Sequence, residues 1–176
     1  MTRYTPARRL IILVGASGAG KTTIANAIEG RRPKVADVIY FDRTGVPTPK
    51  AMIAGWGSGE AWQRAATLKW MERLGKMRDR QTPLLFEGQT RIAFVEEGLR
   101  FAGIDDARII LVDCDDAVRS SRLHRERRQP ALANPTMMSW AEYLRREAQV
   151  GKHDILDTSA LTLDQSVDRV CAYFSE

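Results

Sequence analysis

The residues with the clearest chemical signature form a glycine-rich segment near the N-terminus. Gly15–Thr22 reads GASGAGKT and matches the pattern G-x-x-x-x-G-K-[ST] at every fixed position. In this pattern the glycines let backbone N–H groups point at phosphate oxygens, Lys21 supplies a cation to the terminal phosphates, and the Thr22 hydroxyl coordinates Mg²⁺. An apolar run precedes the segment and a helical pattern follows it. The sequence therefore predicts a binding loop for a nucleoside triphosphate and its Mg²⁺ ion.

Two carboxylates at the ends of predicted strands are candidates for work on a second substrate. Asp42 follows the second predicted strand, which we expect to lie beside the strand of the phosphate loop. Near the γ-phosphate, Asp42 would accept a proton from an acceptor hydroxyl or hold a Mg²⁺-bound water, and Arg43 would grip the acceptor. A plain cap of the turn into Gly45 is the alternative role for Asp42. Thr22 is the expected direct Mg²⁺ ligand, with Asp42 or Glu87 acting through water.

The elements that would position these residues alternate between strands and helices. Apolar runs predict strands over Leu10–Val14, Val38–Phe41, Leu84–Phe86, Arg108–Val112 and Asp154–Leu156. Helical patterns cover Lys21–Glu29, Glu60–Arg80, Ile92–Phe101, Asp116–Arg128, Met138–Val150 and Leu163–Phe174. This alternation predicts an α/β fold of three layers, with helices on both faces of a five-stranded, mostly parallel sheet. We expect one domain over residues 1–176.

Composition and charge exclude several classes of protein. The 176 residues are 44% hydrophobic and 28% charged, which argues against disorder, collagen and coiled coil. Two cysteines allow neither a zinc cluster nor a disulfide framework, so a cytoplasmic setting is expected. Arg8 and Arg9 precede an apolar run that is too short for a signal peptide or a membrane span. The net charge of +5 favours anionic ligands, whether phosphorylated metabolites, ATP or nucleic acid.

Two stretches interrupt the alternation of strands and helices. The first, about 43–81, is expected to be a helical insertion on the acceptor side. Within it, Trp62 and Trp70 are eight residues apart and predict a core-packing stripe, whereas Trp56 is open between packing and stacking on a base or sugar. The second stretch, about 125–136, is expected to be a short lid, because ligands of such folds bind at the carboxyl ends of the strands.

Taken together, these segments resemble the P-loop small-molecule kinases, and in particular the shikimate, gluconate and adenylate kinase-like group. The resemblance rests on GASGAGKTT, FDR, LLFEGQTR, RLHRERRQPAL and LDTSALTLDQSVDRV. It covers most of the frame of the chain but not 44–81, which matches no acceptor-specific pattern. It implies ATP as the phosphoryl donor, Mg²⁺ as the metal and a small-molecule hydroxyl or phosphate as the acceptor.

The resemblance also implies roles for three arginines. Glu87–Arg91 resembles the Asp-Gly-x-Pro-Arg segment of adenylate kinases, whose arginine holds the acceptor phosphate, although Thr90 replaces the proline. The segment from Arg128 through Gln-Pro-Ala-Leu resembles the lid of shikimate kinases. Within the arginine-rich run that leads into it, Arg122 and Arg128 fit the lid pattern best, with Arg122 nearer the nucleotide and Arg128 at the transition state.

The predicted catalytic residues are Lys21, Asp42 and Arg128. The predicted nucleotide-binding residues are Gly15, Ala16, Ser17, Gly18, Ala19, Gly20, Lys21, Thr22, Thr23 and Arg122. The predicted acceptor-binding residues are Asp42, Arg43, Glu87 and Arg91. Two other functions compete with a small-molecule kinase. A kinase of nucleic-acid 5′-hydroxyl ends would suit the positive charge, and a nucleotide-binding regulator with little turnover would need no acceptor-side base. No membrane partner is expected.

Overall fold

Alternate residues of the central strand face two different hydrophobic cores. The computed structural model describes residues 10–77 and 81–175, so the predicted basic start at Arg8 and Arg9 and the last residues of the predicted helix Glu60–Arg80 lie outside it. The strands are β1 (Leu10–Val14), β2 (Asp37–Tyr40), β3 (Leu84–Gly88), β4 (Ala107–Asp113) and β5 (Asp154–Asp157). All pair in parallel, in the order β2-β3-β1-β4-β5.

Helices cover both faces of this sheet. They are α1 (Lys21–Arg31), α2 (Pro49–Trp56), α3 (Gly59–Met77), α4 (Ile92–Phe101), α5 (Asp116–Ser121), α6 (Pro135–Val150) and α7 (Leu163–Ala172). Leu10, Ile12 and Val14 pack in the core beneath α3, α4 and α6, whereas Ile11 and Leu13 pack in the core beneath α1 and α7. The side-chain period of two along β1 therefore divides the molecule into three layers and confirms the predicted α/β class.

The strand order corrects one expectation from the sequence. We expected the strand of Asp42 to lie beside the phosphate-loop strand, but β3 lies between β1 and β2. All five residues of β3 are buried, whereas β2 alternates between half-buried and buried residues as an edge strand does. On the β3 side of β1, the carboxylate near the strand end is therefore Glu87, and Asp42 follows the edge strand β2.

The two irregular stretches also differ from their predicted form. The insertion contains α2, which the sequence analysis did not separate, followed by α3. The predicted helix Asp116–Arg128 stops as an α-helix at Ser121 and continues as a π-helical turn over Arg122–Glu126. In the predicted lid, a 3-10 turn covers Pro130–Leu132, and α6 begins at Pro135 because the Asn134 side chain caps it. No helix in the described ranges is long and apolar enough to cross a membrane.

Candidate active site at the phosphate loop

The loop between β1 and α1 has the close packing that a glycine-rich phosphate loop requires. A Cβ atom on Gly15 would lie 2.2 Å from the Val112 carbonyl oxygen of β4. Gly18 has a φ of +82°, and a Cβ atom there would lie 3.0 Å from the Arg119 side chain. Both positions therefore need glycine, one because neighbouring backbone is too close and the other because of its left-handed conformation as well.

Lys21, Thr22 and Glu87 meet at the mouth of this loop. The Lys21 Nζ atom lies 3.8 Å from Glu87 Oε1, and the Thr22 hydroxyl donates a hydrogen bond of 3.0 Å to the same oxygen. Lys21 is 5% exposed and Glu87 is 8% exposed. Burial lowers the pKa of the Lys21 ammonium, and the negative charge of Glu87 partly opposes that effect. A buried cation and a buried anion thus share the place where the terminal phosphates of a nucleotide would lie.

The same oxygen atoms suit a magnesium ion. Mg²⁺ prefers oxygen ligands and is usually held by one or two protein groups together with phosphates and waters. The Thr22 hydroxyl and the Glu87 carboxylate already contact each other, so both can face one cation. The donor set of these two residues therefore fits Mg²⁺.

Asp42 reaches the same side of the molecule through the packing of Phe41. Asp42 lies in a 3-10 turn over Phe41–Thr44, directly after β2. Phe41 packs so closely on the end of β3 that a Cβ atom on Gly88 would lie 2.8 Å from its own Cβ. This contact places the turn over the carboxyl end of β3, and the charge of Asp42 is close enough to raise the pKa of Lys21. Asp42 is therefore an exposed carboxylate whose charge acts on Lys21, although its strand is at the sheet edge.

Arg43 does not accompany Asp42 toward this site. Its guanidinium lies 4.4 Å from the centroid of the Tyr40 ring and 3.2 Å from a Glu29 carboxylate oxygen on α1. The burial of the Tyr40 hydroxyl and its bond to Glu29 raise the pKa of that phenol to about 12. In the present conformation Arg43 therefore pairs with Glu29, and its predicted role at the acceptor stays a prediction that would require this exposed ion pair to open.

The loop after β3 ties the phosphate loop to the insertion. The Ser17 hydroxyl donates a hydrogen bond of 3.0 Å to the Gln89 side-chain oxygen, and the Gln63 amide of α3 donates one of 3.2 Å to the Gln89 carbonyl. The Thr67 and Thr90 hydroxyls contact each other at 2.6 Å below them. Sequence reasoning missed Gln63 and Gln89, because amides in a helix and a loop carry no recognisable motif.

Arg91 lies in an aromatic and acidic environment of its own. Its guanidinium makes two hydrogen bonds to the Glu60 carboxylate, of 2.9 and 3.1 Å. The Phe94 ring centroid is 5.5 Å away and the Tyr143 ring centroid is 5.0 Å away. The structure therefore pairs Arg91 internally, so binding of an acceptor phosphate there would first require Glu60 to release it.

One residue of the arginine-rich segment, Arg119, lies inside the protein. Arg119 is fully buried and donates to the Ser17 carbonyl at 3.0 Å and to Asp113 at 2.6 Å. Arg145 donates to the second oxygen of Asp113, also at 2.6 Å. Arg119 is therefore a strut that holds the phosphate loop against β4, a role that its place in a basic run did not reveal.

Arg122 contacts both the phosphate loop and the loop after β5. Its guanidinium donates to the Thr158 hydroxyl and carbonyl at 2.9 Å each and to the Ala19 carbonyl at 3.2 Å. A cavity of about 240 Å³ opens beside it. The cavity is lined by Gly18, Gly20, Lys21, Thr22, Thr23, Asn26, Arg122, Glu126 and Arg127. Five of the predicted nucleotide-binding residues of the loop and Arg122 thus line one cavity, whereas Gly15, Ala16, Ser17 and Ala19 are not among its lining residues.

Arg127 rather than Arg128 faces this cavity. The charge of Arg127 lowers the pKa of Lys21, so the two cations lie close to each other. Arg128 is exposed, has a left-handed φ of +51°, and is absent from the cavity lining. The π-helical turn over Arg122–Glu126 shifts the phase of the segment, which is why helical spacing alone did not single out Arg127.

Solved structures with the same fold include several small P-loop kinases. Shikimate kinase from Acinetobacter baumannii, in complex with shikimate, superimposes with a TM-score of 0.64 at 17% identity, covering 97% of this chain and 93% of that one. A gluconokinase from Sinorhizobium meliloti 1021 gives 0.62 at 14% identity, covering 97% and 93%. The tunicamycin resistance protein of Deinococcus radiodurans gives 0.62 at 18% identity, covering 94% and 95%. No known protein-family model matches the sequence. No curated protein shows significant similarity to it.

These likenesses extend over nearly the whole chain at low identity, so they establish its architecture. The five-stranded parallel sheet, the glycine-rich loop after β1 and the helices on both faces are present in this chain in the arrangement described above. The resemblance drawn from the sequence motifs is thereby confirmed: the chain has the fold of the P-loop small-molecule kinases of the shikimate kinase-like group.

Proposed function

We propose that this protein transfers the γ-phosphoryl group of ATP, bound with Mg²⁺, to a small-molecule acceptor. The observation that carries the proposal is the convergence of Lys21, Thr22 and Glu87 at a glycine-rich loop, with Asp42 held on the same side by the packing of Phe41. A phosphate-binding cation, a pair of metal-compatible oxygens and an exposed carboxylate are the groups that phosphoryl transfer requires. One domain over residues 1–176 would supply all of them.

On the nucleotide side, the buried Lys21 ammonium would move from Glu87 to the terminal phosphates. Phosphate oxygens carry more negative charge than one carboxylate, so the exchange would offset the desolvation that now lowers the Lys21 pKa. Thr22 and Glu87 would hold Mg²⁺, which when bound neutralises charge on the phosphate oxygens. Arg122 would lie along the nucleotide from its position on Ala19 and Thr158.

On the acceptor side, Asp42 would act as the general base. The acceptor hydroxyl oxygen would form a bond to the γ-phosphorus, and the bond from that phosphorus to the β–γ bridging oxygen would break. ADP would leave with the electron pair of that bond, and the hydroxyl proton would move to the Asp42 carboxylate. For a phosphate acceptor, which is already deprotonated, Asp42 would only position the nucleophile.

We propose that the arginines after α5 complete the site in two steps. Arg127 lines the cavity in the present conformation and would bind nucleotide phosphate. Arg128 lies at the start of the predicted lid, where it would reach the transferring group only when that segment closes. Charge on the equatorial oxygens is greatest in the transition state, so Arg128 would then act on turnover rather than on affinity.

Two alternative functions make different demands on these residues. A kinase of nucleic-acid 5′-hydroxyl ends would need a free basic stripe, and four arginines that could contribute to one, Arg64, Arg91, Arg119 and Arg145, pair with carboxylates of the chain. A regulator with little turnover would have no use for Asp42. Both observations favour the small-molecule kinase, and the two free cysteines accord with a cytoplasmic setting.

The experiment that tests the proposal is a screen for nucleotide-dependent stabilisation followed by turnover. The unfolding temperature is measured with a non-hydrolysable ATP analogue and Mg²⁺, alone and with panels of sugars, nucleosides and aromatic alcohols. ADP release is then measured for each compound that stabilises the complex further. We expect acceptor-dependent ADP release that Lys21→Ala abolishes. Stabilisation by nucleotide with no compound of any panel raising ADP release would favour the regulator.

A further inference from the structure

A second cavity lies between the outer face of α3 and the segment that follows β2. It has a volume of about 500 Å³, within the range of sites for small organic ligands. Three tryptophans, Trp56, Trp62 and Trp70, contribute to its lining, together with the cations Lys69 and Arg73. None of the residues of the phosphate-loop cavity contributes to it. The cavity is thus a separate site within the acceptor-side insertion.

Two of its tryptophans are fixed by the hydrophobic core. The Trp62 ring meets Phe41 edge-on at 6.0 Å between centroids, and the Trp70 ring lies 5.5 Å from the Phe86 centroid. The Trp70 indole N–H donates a hydrogen bond of 3.2 Å to the Phe41 carbonyl. The predicted packing role of both residues is therefore observed, and it also makes them rigid walls. Rigid aromatic walls favour a flat apolar ligand because little side-chain freedom is lost on binding.

The third tryptophan belongs to an exposed apolar segment. Trp56 is 46% exposed at the end of α2, Ile53 on the same helix is 62% exposed, and Val46 before it is 52% exposed. No residue of α2 is buried. Large apolar side chains that are exposed together commonly mark a ligand or interaction site, whereas isolated ones do not. Trp56 lines the cavity, so the exposed surface continues into a site of suitable size.

The cavity also carries positive charge, from Lys69 and Arg73 in its lining. Across residues 10–77 and 81–175, neither side chain lies within ion-pair distance of a carboxylate. The nearby Glu72 pairs with Lys76 at 2.5 Å, which lowers the Glu72 pKa more than the charge of Lys69 does. The Arg73 guanidinium lies 5.2 Å from the Trp70 ring centroid, at the wall of the cavity. No carboxylate side chain lines the cavity. An anionic group on the ligand would therefore meet two cations there.

The cavity adjoins the proposed acceptor base. Its lining includes Thr44 and Gly45, which follow Asp42 by two and three residues in the same turn. Phe41 joins the two sites, because one side of it packs on Gly88 and its ring meets Trp62. A ligand held between the tryptophans would therefore extend toward Asp42 along the turn.

We propose that this cavity binds the aromatic ring system of the phosphoryl acceptor, and that the acceptor is a hydroxylated aromatic anion. The acceptor part of this inference rests on the proposed kinase function, whereas the binding site itself does not. The ring lies between Trp56, Trp62 and Trp70, its anionic group meets Lys69 and Arg73, and its hydroxyl is directed to Asp42.

The binding site is tested without nucleotide, by calorimetry and tryptophan fluorescence on the full chain. The probes are hydroxynaphthoate, the uncharged naphthylmethanol and the saturated anion cyclohexylacetate. We expect hydroxynaphthoate to bind most tightly and Trp56→Ala to weaken it about tenfold, as removal of a stacking aromatic does. Trp56→Phe should retain most of the affinity, and Phe101→Ala, which removes an exposed aromatic elsewhere, should change nothing. Circular dichroism of each variant checks its fold.

Charge recognition is tested with Lys69→Gln and Arg73→Gln. Both should weaken hydroxynaphthoate and leave naphthylmethanol unchanged. If no probe binds the native chain at millimolar concentration, or if Trp56→Ala binds hydroxynaphthoate as the native chain does, the site is refuted.

The acceptor assignment has its own outcome. An ATP analogue with Mg²⁺ should tighten hydroxynaphthoate binding, and ATP itself should phosphorylate the probe. Binding at the tryptophans with neither effect would refute the acceptor assignment and leave an aromatic-anion site. Kinase activity on a non-aromatic acceptor, with no probe bound, would refute this inference and leave the proposed function intact.

Discussion

The phosphate end and the acceptor end of this molecule are built in opposite ways. At the phosphate end, the loop is held by backbone contacts and by a buried ionic strut, in which Arg119 joins Ser17 to Asp113. At the acceptor end, α2 buries none of its residues, and Trp56 and Ile53 are exposed. Triphosphates are the same for every kinase, so a rigid site suits them. Acceptors differ, and a helix as exposed as α2 can change its side chains without disturbing α3 or the sheet.

Among substitutions that test the difference between the two ends, the largest loss of turnover is expected at Lys21. Lys21→Met should lower turnover by about 10³-fold or more, because the cation on the transferring phosphates is lost. The unfolding temperature should change little, because the desolvation cost of the Lys21 ammonium is removed together with its ion pair to the buried Glu87. Steady-state kinetics and thermal unfolding measure both effects, with the exposed Lys34→Met as the matched control. Near-normal turnover in Lys21→Met would refute the role of the loop.

The next largest effect is expected at Asp42, which joins the two ends. Asp42→Asn should lower kcat by about 10²-fold or more, because a general base is removed. Nucleotide affinity should change little, because Asp42 is exposed and lies on the acceptor side. Asp164→Asn, which removes a carboxylate paired with Arg31 on the surface, serves as the control. A variant that lost nucleotide affinity and kept kcat would place Asp42 on the metal instead.

A smaller effect should separate the two arginines of the lid. Arg127→Ala is expected to weaken nucleotide binding about tenfold, as the loss of one charge-assisted contact does. Arg128→Ala should leave affinity nearly unchanged and lower kcat, since its partner charge is greatest in the transition state. Calorimetry and kinetics on both variants, with exposed Arg125→Ala as the control, measure the difference. The opposite result, with Arg128 affecting affinity and Arg127 affecting kcat, would show that the present turn rearranges so that Arg128 replaces Arg127 at the nucleotide.

The smallest expected effect is the uptake of a proton by Lys21 when nucleotide binds. Burial holds the pKa of Lys21 below 10.5 in the free protein, and bound phosphates should raise it again. Between those two pKa values binding takes up a proton, so nucleotide affinity should fall as the pH rises through that window. Calorimetry in buffers of different ionisation enthalpy measures the uptake. The same uptake in Lys21→Met would assign the proton to another group.

Features that depend on residues close together in the sequence were predicted correctly. The phosphate loop follows from glycine, lysine and threonine at fixed spacing, and the five strands follow from short apolar runs. Lateral strand order has no local signal, so β3 was not expected between β1 and β2. Asp37 and Ile39 of β2 are half-exposed, as in an edge strand. The polar Asp37 could have indicated that β2 lies at the edge of the sheet.

The acceptor side was predicted less well because its contacts are long-range. The sequence did not predict that Arg43 pairs with Glu29, because that residue is 14 positions away and lies on α1. The sequence predicted roles for Arg122 and Arg128 and did not single out Arg127, whose place in the cavity lining follows a π-helical turn that helical periodicity cannot show. Trp62 and Trp70 were predicted as packing residues, and their second role as cavity walls depends on where α2 places Trp56.

The central claim is phosphoryl transfer to a small molecule at the phosphate loop, and label transfer tests it most directly. The native protein and Lys21→Met are incubated with Mg²⁺ and ATP labelled at the γ-phosphate, together with a protein-free small-molecule extract of cells. Nucleic acids with free 5′-hydroxyl ends are offered in a parallel reaction. We predict that the native protein places label on a small molecule, that Lys21→Met does not, and that nucleic-acid ends are unlabelled. Label found only on nucleic-acid ends, or only in inorganic phosphate, would contradict the account.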